Sequence, residues 1–252
     1  MSNLLTIGFF TQLLNLTQPG GTAKPASSVP ATTSAGAAAT VKPVPATADA
    51  IIGEVQAFYA RVDRVTAKFK QTVTNAAFGD TKDSNGMVWI SKPGKMRWDY
   101  YGKSTKGKTP TVRRSFLSNG KTLWVIDHDN KLVNEKDLAS DLLPVAITFL
   151  YGKGDLRSEF DATLENNKKY GTAQDLVLRL TPKKPSAQYK ELYLLVAKDN
   201  FRVRESIIID SSGNVNRFAF FEPNFTKAVK ASWFEFEPTS VKGYRISRGE
   251  TE

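Results

Sequence analysis

Residues 86–98, GMVWISKPGKMRW, contain the pattern that decides the fold of this chain. Two strand-like runs lie on either side of Pro93-Gly94, a pair of residues typical of a tight turn. In the second run, Lys95–Tyr101, apolar and charged side chains alternate, as they do in a strand with one buried face. The stretch therefore predicts two neighbouring strands whose apolar face is directed towards a core.

The same signature recurs along the chain. Asn119-Gly120 is a strong hairpin signal, because a type I′ turn needs positive φ at both central residues, and Asp210–Gly213 is another tight turn. Besides residues 67–73, the predicted strands are Met87–Ser91, Lys95–Tyr101, Arg114–Leu117, Thr122–Ile126, Lys131–Glu135, Arg157–Leu164, Leu176–Leu180, Tyr189–Ala197, Arg202–Ile209, Val215–Phe221, Ala231–Phe236 and Gly243–Ser247. The pattern predicts a mainly β fold with a few helices, a curved antiparallel half-barrel of about 11–12 strands.

Two segments have helical periodicity instead. Thr47 can cap a helix, and apolar residues follow at spacings of three and four: Ile51, Val55, Phe58, Val62 and Val65. In the second segment, 138–150, Pro144 should kink or divide the helix, and one face carries Leu138, Leu142, Ala146, Phe149 and Leu150. We expect both helices to cover the open side of the sheet.

Some strands, such as Leu192–Val196, are apolar on both faces and need cover on each side. A helix can cover one side, and the other side then meets either a packed core or a bound apolar ligand. The pattern alone favours the packed core.

The composition changes sharply near residue 50. Residues 1–20 are interpreted as a degenerate export signal, with a short amphipathic segment on a tether as the alternative. Residues 21–48 are rich in Ala, Pro and Thr and predict a flexible linker. Residues 49–248 are predicted to form one domain. Residues 1–50 contain two lysines and one aspartate, so the remainder keeps +9 of the formal charge of +10. That charge suits either an anionic partner or simple solubility.

The sequence contains little that would support catalysis. It has no cysteine, which excludes disulfides, thiol nucleophiles and lipid modification of a cysteine in this sequence. Its one histidine, His128, lies between Asp127 and Asp129 in a segment typical of a hairpin turn, and a metal or acid/base role for the trio is disfavoured. We therefore predict a non-enzymatic protein with no cofactor and no metal site. We also predict no nucleic-acid binding, because its aromatic residues mostly fall at the inward phase of strands.

Residues 86–98 resemble the corresponding segment of the LolA-like outer-membrane lipoprotein carrier family. Five further short segments match that family's patterns in the same order along the chain: Phe69-Lys-Gln71, Asn119–Trp124, Leu180–Lys183, Asp210–Gly213 and Phe234–Pro238, the last as the final core strand. The resemblance implies a half-barrel whose helices lid an apolar cavity, in a periplasmic, monomeric carrier of lipoprotein acyl chains. Its partners would be an inner-membrane ABC-type lipoprotein release complex and, if present, an outer-membrane lipoprotein acceptor. The alternative is a lipid- or lipoprotein-sensing anti-sigma-factor partner of the same fold.

The resemblance also suggests residues for the acyl cavity and its lid. They are Val55, Phe58, Val62, Val88, Ile90, Lys92, Met96, Trp98, Phe149, Leu150 and Leu194. Many family members have an arginine at the position of Lys92, where it hydrogen-bonds lid residues. Lysine keeps the charge but loses the planar fork, so lid closure is expected to be weaker or to work differently. If Lys92 faces the cavity mouth, Val88 and Ile90 share its side of the strand and Trp89 points the other way.

Overall fold

The computed structural model describes Pro45 and residues 47–102, 110–138, 155–166, 169–185 and 189–248. The predicted export signal, nearly all of the predicted linker and all but the first residue of the second predicted helix lie outside these residues. Twelve strands in the described part form one open sheet. They are β1 (Arg64–Thr74), β2 (Thr81–Ser91), β3 (Lys95–Tyr101), β4 (Val112–Asn119), β5 (Thr122–Asp127), β6 (Leu132–Asp137), β7 (Phe160–Glu165), β8 (Asp175–Pro182), β9 (Glu191–Ala197), β10 (Val203–Ile209), β11 (Val215–Asn224) and β12 (Arg245–Arg248).

The order across the sheet is β12-β6-β5-β4-β3-β2-β1-β11-β10-β9-β8-β7. Two meanders, β1 to β6 and β7 to β11, therefore meet where β1 pairs with β11 in antiparallel register. The predicted mainly β, antiparallel, open sheet is confirmed. One pairing departs from it, because the C-terminal strand β12 runs parallel to β6.

Helix α1 (Ala48–Ala60) is the predicted first helix. Thr47 caps it as predicted, and its side-chain Oγ1 accepts a hydrogen bond from the backbone N–H of Ala50 at 3.2 Å. The helix ends earlier than the apolar stripe suggests, because Val62 lies beyond it and Val65 already belongs to β1. The stripe joins two elements that bury their apolar residues in the same core.

Two segments predicted as strands have other structures. Leu156–Glu159 form a helical turn, α2, so the strand predicted from Arg157 begins only at Phe160. The cause is Asp155, whose Oδ1 accepts from the backbone N–H of Arg157 at 3.0 Å and caps the turn. Ala231–Phe234 form a 3-10 turn, so neither the strand predicted over 231–236 nor a final core strand at Phe234–Pro238 is present.

The turn between β4 and β5 lies at Asn119-Gly120, as predicted, but it is not of type I′. Only Gly120 of the pair has a positive φ, of 99°. Asn119 acts through its side chain, and its Oδ1 accepts from the backbone N–H groups of Lys121 and Thr122, both at 3.0 Å. Asparagine thus makes the turn by imitating a backbone acceptor.

Apolar side chains are buried on both faces of the sheet. On the face that α1 covers, called the front face, one large cluster runs from Leu123 and Val125 to Leu178 and Leu180. On the opposite, back face there are two smaller clusters. One, around Trp124, is covered by Phe236, Val241, Tyr244 and Ile246 of the C-terminal region, and the other is centred on Leu195. Leu194 and Leu195 therefore have cover on opposite sides, as the two-sided apolar pattern of β9 requires.

Candidate functional site: an apolar pocket beneath helix α1

A pocket lies between the C-terminal end of α1 and the front face, astride the junction of β1 and β11. Its cavity volume is about 30 Å³, and the empty space that continues from it into open solvent is about 360 Å³. The lining residues are Tyr59, Val65, Ala67, Val88, Ile90, Arg202, Val203, Phe220, Pro223 and Phe225. The wall is almost wholly apolar, so it suits a hydrocarbon ligand and offers few hydrogen bonds to a polar one.

Aromatic rings pack edge to face beside the pocket. The ring centroids of Phe69 and Trp98 are 5.1 Å apart, and those of Trp98 and Phe218 are 5.7 Å apart. Gly86 makes this packing possible. A Cβ there would collide with the carbonyl oxygen of Asp99 and lie 2.8 Å from two ring carbons of Phe69. The glycine that opens the GMVWISKPGKMRW stretch is therefore required by a close approach of a neighbouring ring.

The structure brings most of the predicted site residues into one front-face cluster. The buried members are Val55, Val88, Ile90, Met96, Trp98 and Leu194, and Phe58 and Val62 pack against them from α1 and the segment after it. Only Val88 and Ile90 of this set line the pocket itself. Phe149 and Leu150 lie outside the described residues. Assignment of these side chains to an acyl cavity remains a prediction.

Lys92 connects the sheet to the end of α1. Its Nζ donates a hydrogen bond to the backbone carbonyl oxygen of Tyr59, and its backbone N–H donates to the carbonyl oxygen of Asp63 at 2.8 Å. Burial lowers the pKa of Lys92 below its usual value, while the charge of Asp63 opposes that shift. Val88 and Ile90 are buried on the front face, and Trp89 packs on Trp233 with centroids 5.6 Å apart. The expected division of β2 into two faces is therefore present.

Tyr59 joins α1 to β10. Its hydroxyl oxygen accepts from the backbone N–H of Val203 at 3.3 Å. Burial raises the pKa of Tyr59 well above its usual value, although the bond to Val203 and the positive charge of Arg202 act in the opposite direction. Tyr59 thus remains a neutral phenol.

Arg202 is the residue of the pocket that the sequence does not suggest. Its Nη1 is buried and has no hydrogen-bond partner within the described part of the chain. The residue precedes β10 and follows Phe201, which has a positive φ of 60°. No local motif marks it, because its place at the pocket depends on the β1–β11–β10 order of the sheet.

His128 lies in the turn after β5, as predicted. Its Nδ1 is 3.1 Å from the hydroxyl oxygen of Tyr244, and its Nε2 is 3.4 Å from Oγ of Ser115. Among the described residues, no group of three His, Asp or Glu side chains is arranged to hold a metal ion. Nor is any helix of the described ranges long and apolar enough to cross a membrane.

The open, mainly antiparallel sheet with a helix laid across an apolar pocket defines a class of proteins suited to holding an apolar ligand. The family model of the outer membrane lipoprotein carrier protein LolA matches residues 60–237, and the chain belongs to that family.

Individual proteins are similar to this chain in sequence or in structure. The outer-membrane lipoprotein carrier protein of Chromobacterium violaceum is 29% identical over 206 residues, which are 82% of this chain and 91% of the relative. A LolA superfamily protein from Nitrosomonas europaea matches 76% of this chain and 99% of its own at 13% identity, with a TM-score of 0.40. The Pseudomonas aeruginosa MucA/MucB complex contains a chain that matches 75% of this chain and 61% of its own at 14% identity, with a TM-score of 0.40.

Proposed function

We propose that this protein is a periplasmic carrier that holds the acyl chains of lipoproteins and moves them from an inner-membrane ABC-type release complex to the outer membrane. The observation that carries the proposal is the apolar pocket beneath α1, in a chain that belongs to the lipoprotein carrier family. Only one arginine interrupts an otherwise apolar lining. The chemistry required is burial of hydrocarbon, without bond making or breaking.

The magnitude of that burial limits how the carrier can work. Burying a sixteen-carbon chain at about 0.8 kcal/mol per CH₂ is worth roughly 12 kcal/mol. Three chains held equally well would exceed the practical ceiling of affinity, near 18–21 kcal/mol, and would not be released. A carrier therefore needs a site whose occupied and empty states are close in free energy.

The position of α1 provides such a balance. Its residues Ile51, Ile52 and Val55 are almost fully buried against the front face. If α1 lifts, this apolar surface loses its cover, and an incoming acyl chain covers the same surface in its place. The net gain is therefore only the difference between two similar areas.

The pocket volume supports an opening step. The cavity volume of about 30 Å³ is far below the 300–1,000 Å³ range of pockets for drug-sized ligands. Three long acyl chains are larger than such a ligand, so they require movement of α1 away from the front face. One polar contact at the outer side of α1 is the exposed ion pair of Asp49 with Arg157 at 2.9 Å, and exposed pairs cost little to break.

The partners and the compartment follow from the same proposal. The carrier would receive its cargo from the release complex and pass it to an outer-membrane lipoprotein acceptor where one exists. It would act as a monomer and without a cofactor. A regulatory domain of the same fold that senses lipids or lipoproteins is the competing function, and it would retain a stable membrane-protein partner instead of exchanging cargo.

The first test is binding of an apolar fluorescent probe to the purified full chain, with displacement by a triacylated lipopeptide. We expect displacement by the lipopeptide and none by the same peptide without acyl chains. Ala67→Leu, which fills the pocket, should weaken probe binding. Ala77→Leu, the same change at an exposed position of the β1–β2 turn, should not.

The two functions give different outcomes in envelope extracts. A carrier should co-purify with lipoproteins and release them to outer-membrane vesicles. Failure of the purified chain to bind the probe, or failure of the lipopeptide to displace it, would contradict the proposal.

A further inference from the structure

Arg202 places one cationic group in a pocket that is otherwise apolar. Its Nη1 is buried at the lining and lacks an acceptor among the described residues. A buried guanidinium N–H without an acceptor is unfavourable, since it has lost water and gained nothing in exchange. Such a group persists in a binding pocket when a ligand supplies the acceptor.

Other arginines on these strands do have acceptors. Arg204, two residues along, is bonded to Asp175 at 3.0 Å, and Arg217 on β11 is bonded to Glu205 at 2.6 Å. Carboxylates are thus available on neighbouring strands, yet none of them is bonded to Nη1 of Arg202. The wall around Arg202 offers side chains such as Val65, Val203 and Phe220, none of which can accept a hydrogen bond.

The polar atoms of Tyr59 near Arg202 have other partners. The carbonyl oxygen of Tyr59 accepts from Lys92, and its hydroxyl oxygen accepts from the backbone of Val203. A ligand that enters the pocket therefore meets hydrocarbon on most sides and one strong, directed donor. That combination matches a molecule with a long apolar tail and an oxygen acceptor at its head.

We propose that Arg202 binds an acyl oxygen of the cargo through Nη1, so that each acyl chain in this pocket is held in one orientation, with its carbonyl or carboxylate at Arg202 and its tail along the front face. The inference rests on the proposed function and adds to it a recognition site for the head of the chain. The ester of a lipoprotein and the carboxylate of a free fatty acid present the same oxygen chemistry.

The test compares probes that share a hydrocarbon tail and differ in the head. Three are used with the full chain: a fluorescent alkane without an acceptor, a triacylated lipopeptide with ester and amide carbonyls, and palmitate. In Arg202→Met we expect unchanged affinity for the alkane and a loss of about 10- to 100-fold for a probe that Arg202 recognises, the range for a hydrogen bond to a charged group. Arg202→Lys keeps the charge but lacks the planar guanidinium, and its affinity for that probe should fall less than that of Arg202→Met.

Arg61→Met is the matched control. It removes the same charge from an exposed residue at the end of α1 and should leave all three affinities unchanged. A loss of affinity for the lipopeptide in Arg202→Met identifies the ester-linked chain as the ligand. A loss of affinity for palmitate alone identifies the free acid. An equal loss for the alkane, or no loss for either oxygen-bearing probe, would overturn the inference while leaving the carrier function intact. A wild-type chain that binds none of the probes would refute the carrier function itself.

Discussion

His128 connects the turn after β5 to the C-terminal segment that covers the back face. Its ring lies between Tyr244 and Ser115, and the Ser115 hydroxyl donates to Oδ1 of the buried Asp99 at 2.6 Å. Burial lowers the pKa of His128, and the nearby charge of Asp99 acts against this shift. Smaller effects come from Arg97, which lowers the pKa, and from Asp127 and Asp129, which raise it.

The lowered pKa of His128 predicts acid sensitivity. Below the ordinary pKa of 6.5 the unfolded chain binds a proton that the folded chain still resists, so the free energy of unfolding falls as the pH falls through this range. His128→Gln should flatten the dependence between about pH 7.5 and about pH 5.5, because no other histidine is present. Urea denaturation at several pH values measures it. An unchanged slope in the variant would show that other groups cause the sensitivity.

At the scale of the element, α1 depends on contacts at its C-terminal end. Lys92 and Val203 each donate a hydrogen bond to Tyr59, the residue before the last one of the helix. The arginine expected at position 92 from the family resemblance would offer a planar fork, whereas lysine makes a single directed contact with a backbone oxygen. The hydrogen bond from Lys92 therefore holds the end of α1, and it can be removed by substitution without changing the apolar face of the helix.

We expect that loss of the Lys92–Tyr59 hydrogen bond makes local opening of α1 more frequent. In Lys92→Met, amide hydrogen exchange in the last turn of α1 should rise about five-fold, since one hydrogen bond contributes about 1 kcal/mol. The global free energy of unfolding should change little. Lys121→Met, at an exposed turn position, is the control and should leave exchange in α1 unaltered. Equal exchange in Lys92→Met and wild type would show that Lys92 does not hold the helix.

The sequence predicts those elements whose signals are local. α1 has a capping threonine and a stripe at helical spacing, and charged and apolar residues alternate in β3 from Lys95 to Tyr100. The segment 231–236 misleads, because alternation of Phe234 and Phe236 indicates contact with an apolar surface and not the presence of a pairing strand. Phe236 packs on Trp124 at the back face, with ring centroids 6.0 Å apart, and the backbone just before it, at Ala231–Phe234, forms a 3-10 turn.

The candidate site also contains residues that local sequence patterns could place and one residue that they could not. Val88, Ile90 and Trp98 could be placed on one face from the phase of their strands, and the structure buries them together. Arg202 could not be placed, because Val65 and Ala67, its neighbours in the pocket, come from β1, which is distant in sequence. Pairing of β1 with β11 decides that contact, and no short-range pattern encodes it.

At the scale of the whole molecule, the open sheet has two edge strands, β12 and β7. An unpaired edge can accept a strand from a second copy. β12 is only four residues long and contains Arg245 and Arg248, with Arg248 3.5 Å from Glu135. Short length and like charges should prevent two such edges from pairing.

We expect that a variant without the two arginines of edge strand β12 self-associates. Replacing Arg245 and Arg248 together by threonine removes the repulsion and leaves β-compatible side chains, so sedimentation should show self-association that grows with protein concentration. Replacing Arg61 and Arg64, which are exposed and lie away from this edge, is the charge-matched control. A variant that sediments like the wild type would mean that length alone protects the edge.

The junction of the two meanders has a consequence for the order in which parts of the protein fold. Each meander can form from hairpins between neighbours in sequence, but β1 meets β11 only after a loop of more than a hundred residues closes, which is the slow kind of step. The pocket takes Val65 and Ala67 from one side of this seam and Phe220 and Pro223 from the other. A half-folded chain therefore lacks the complete pocket, and the pocket can form only after β1 has paired with β11.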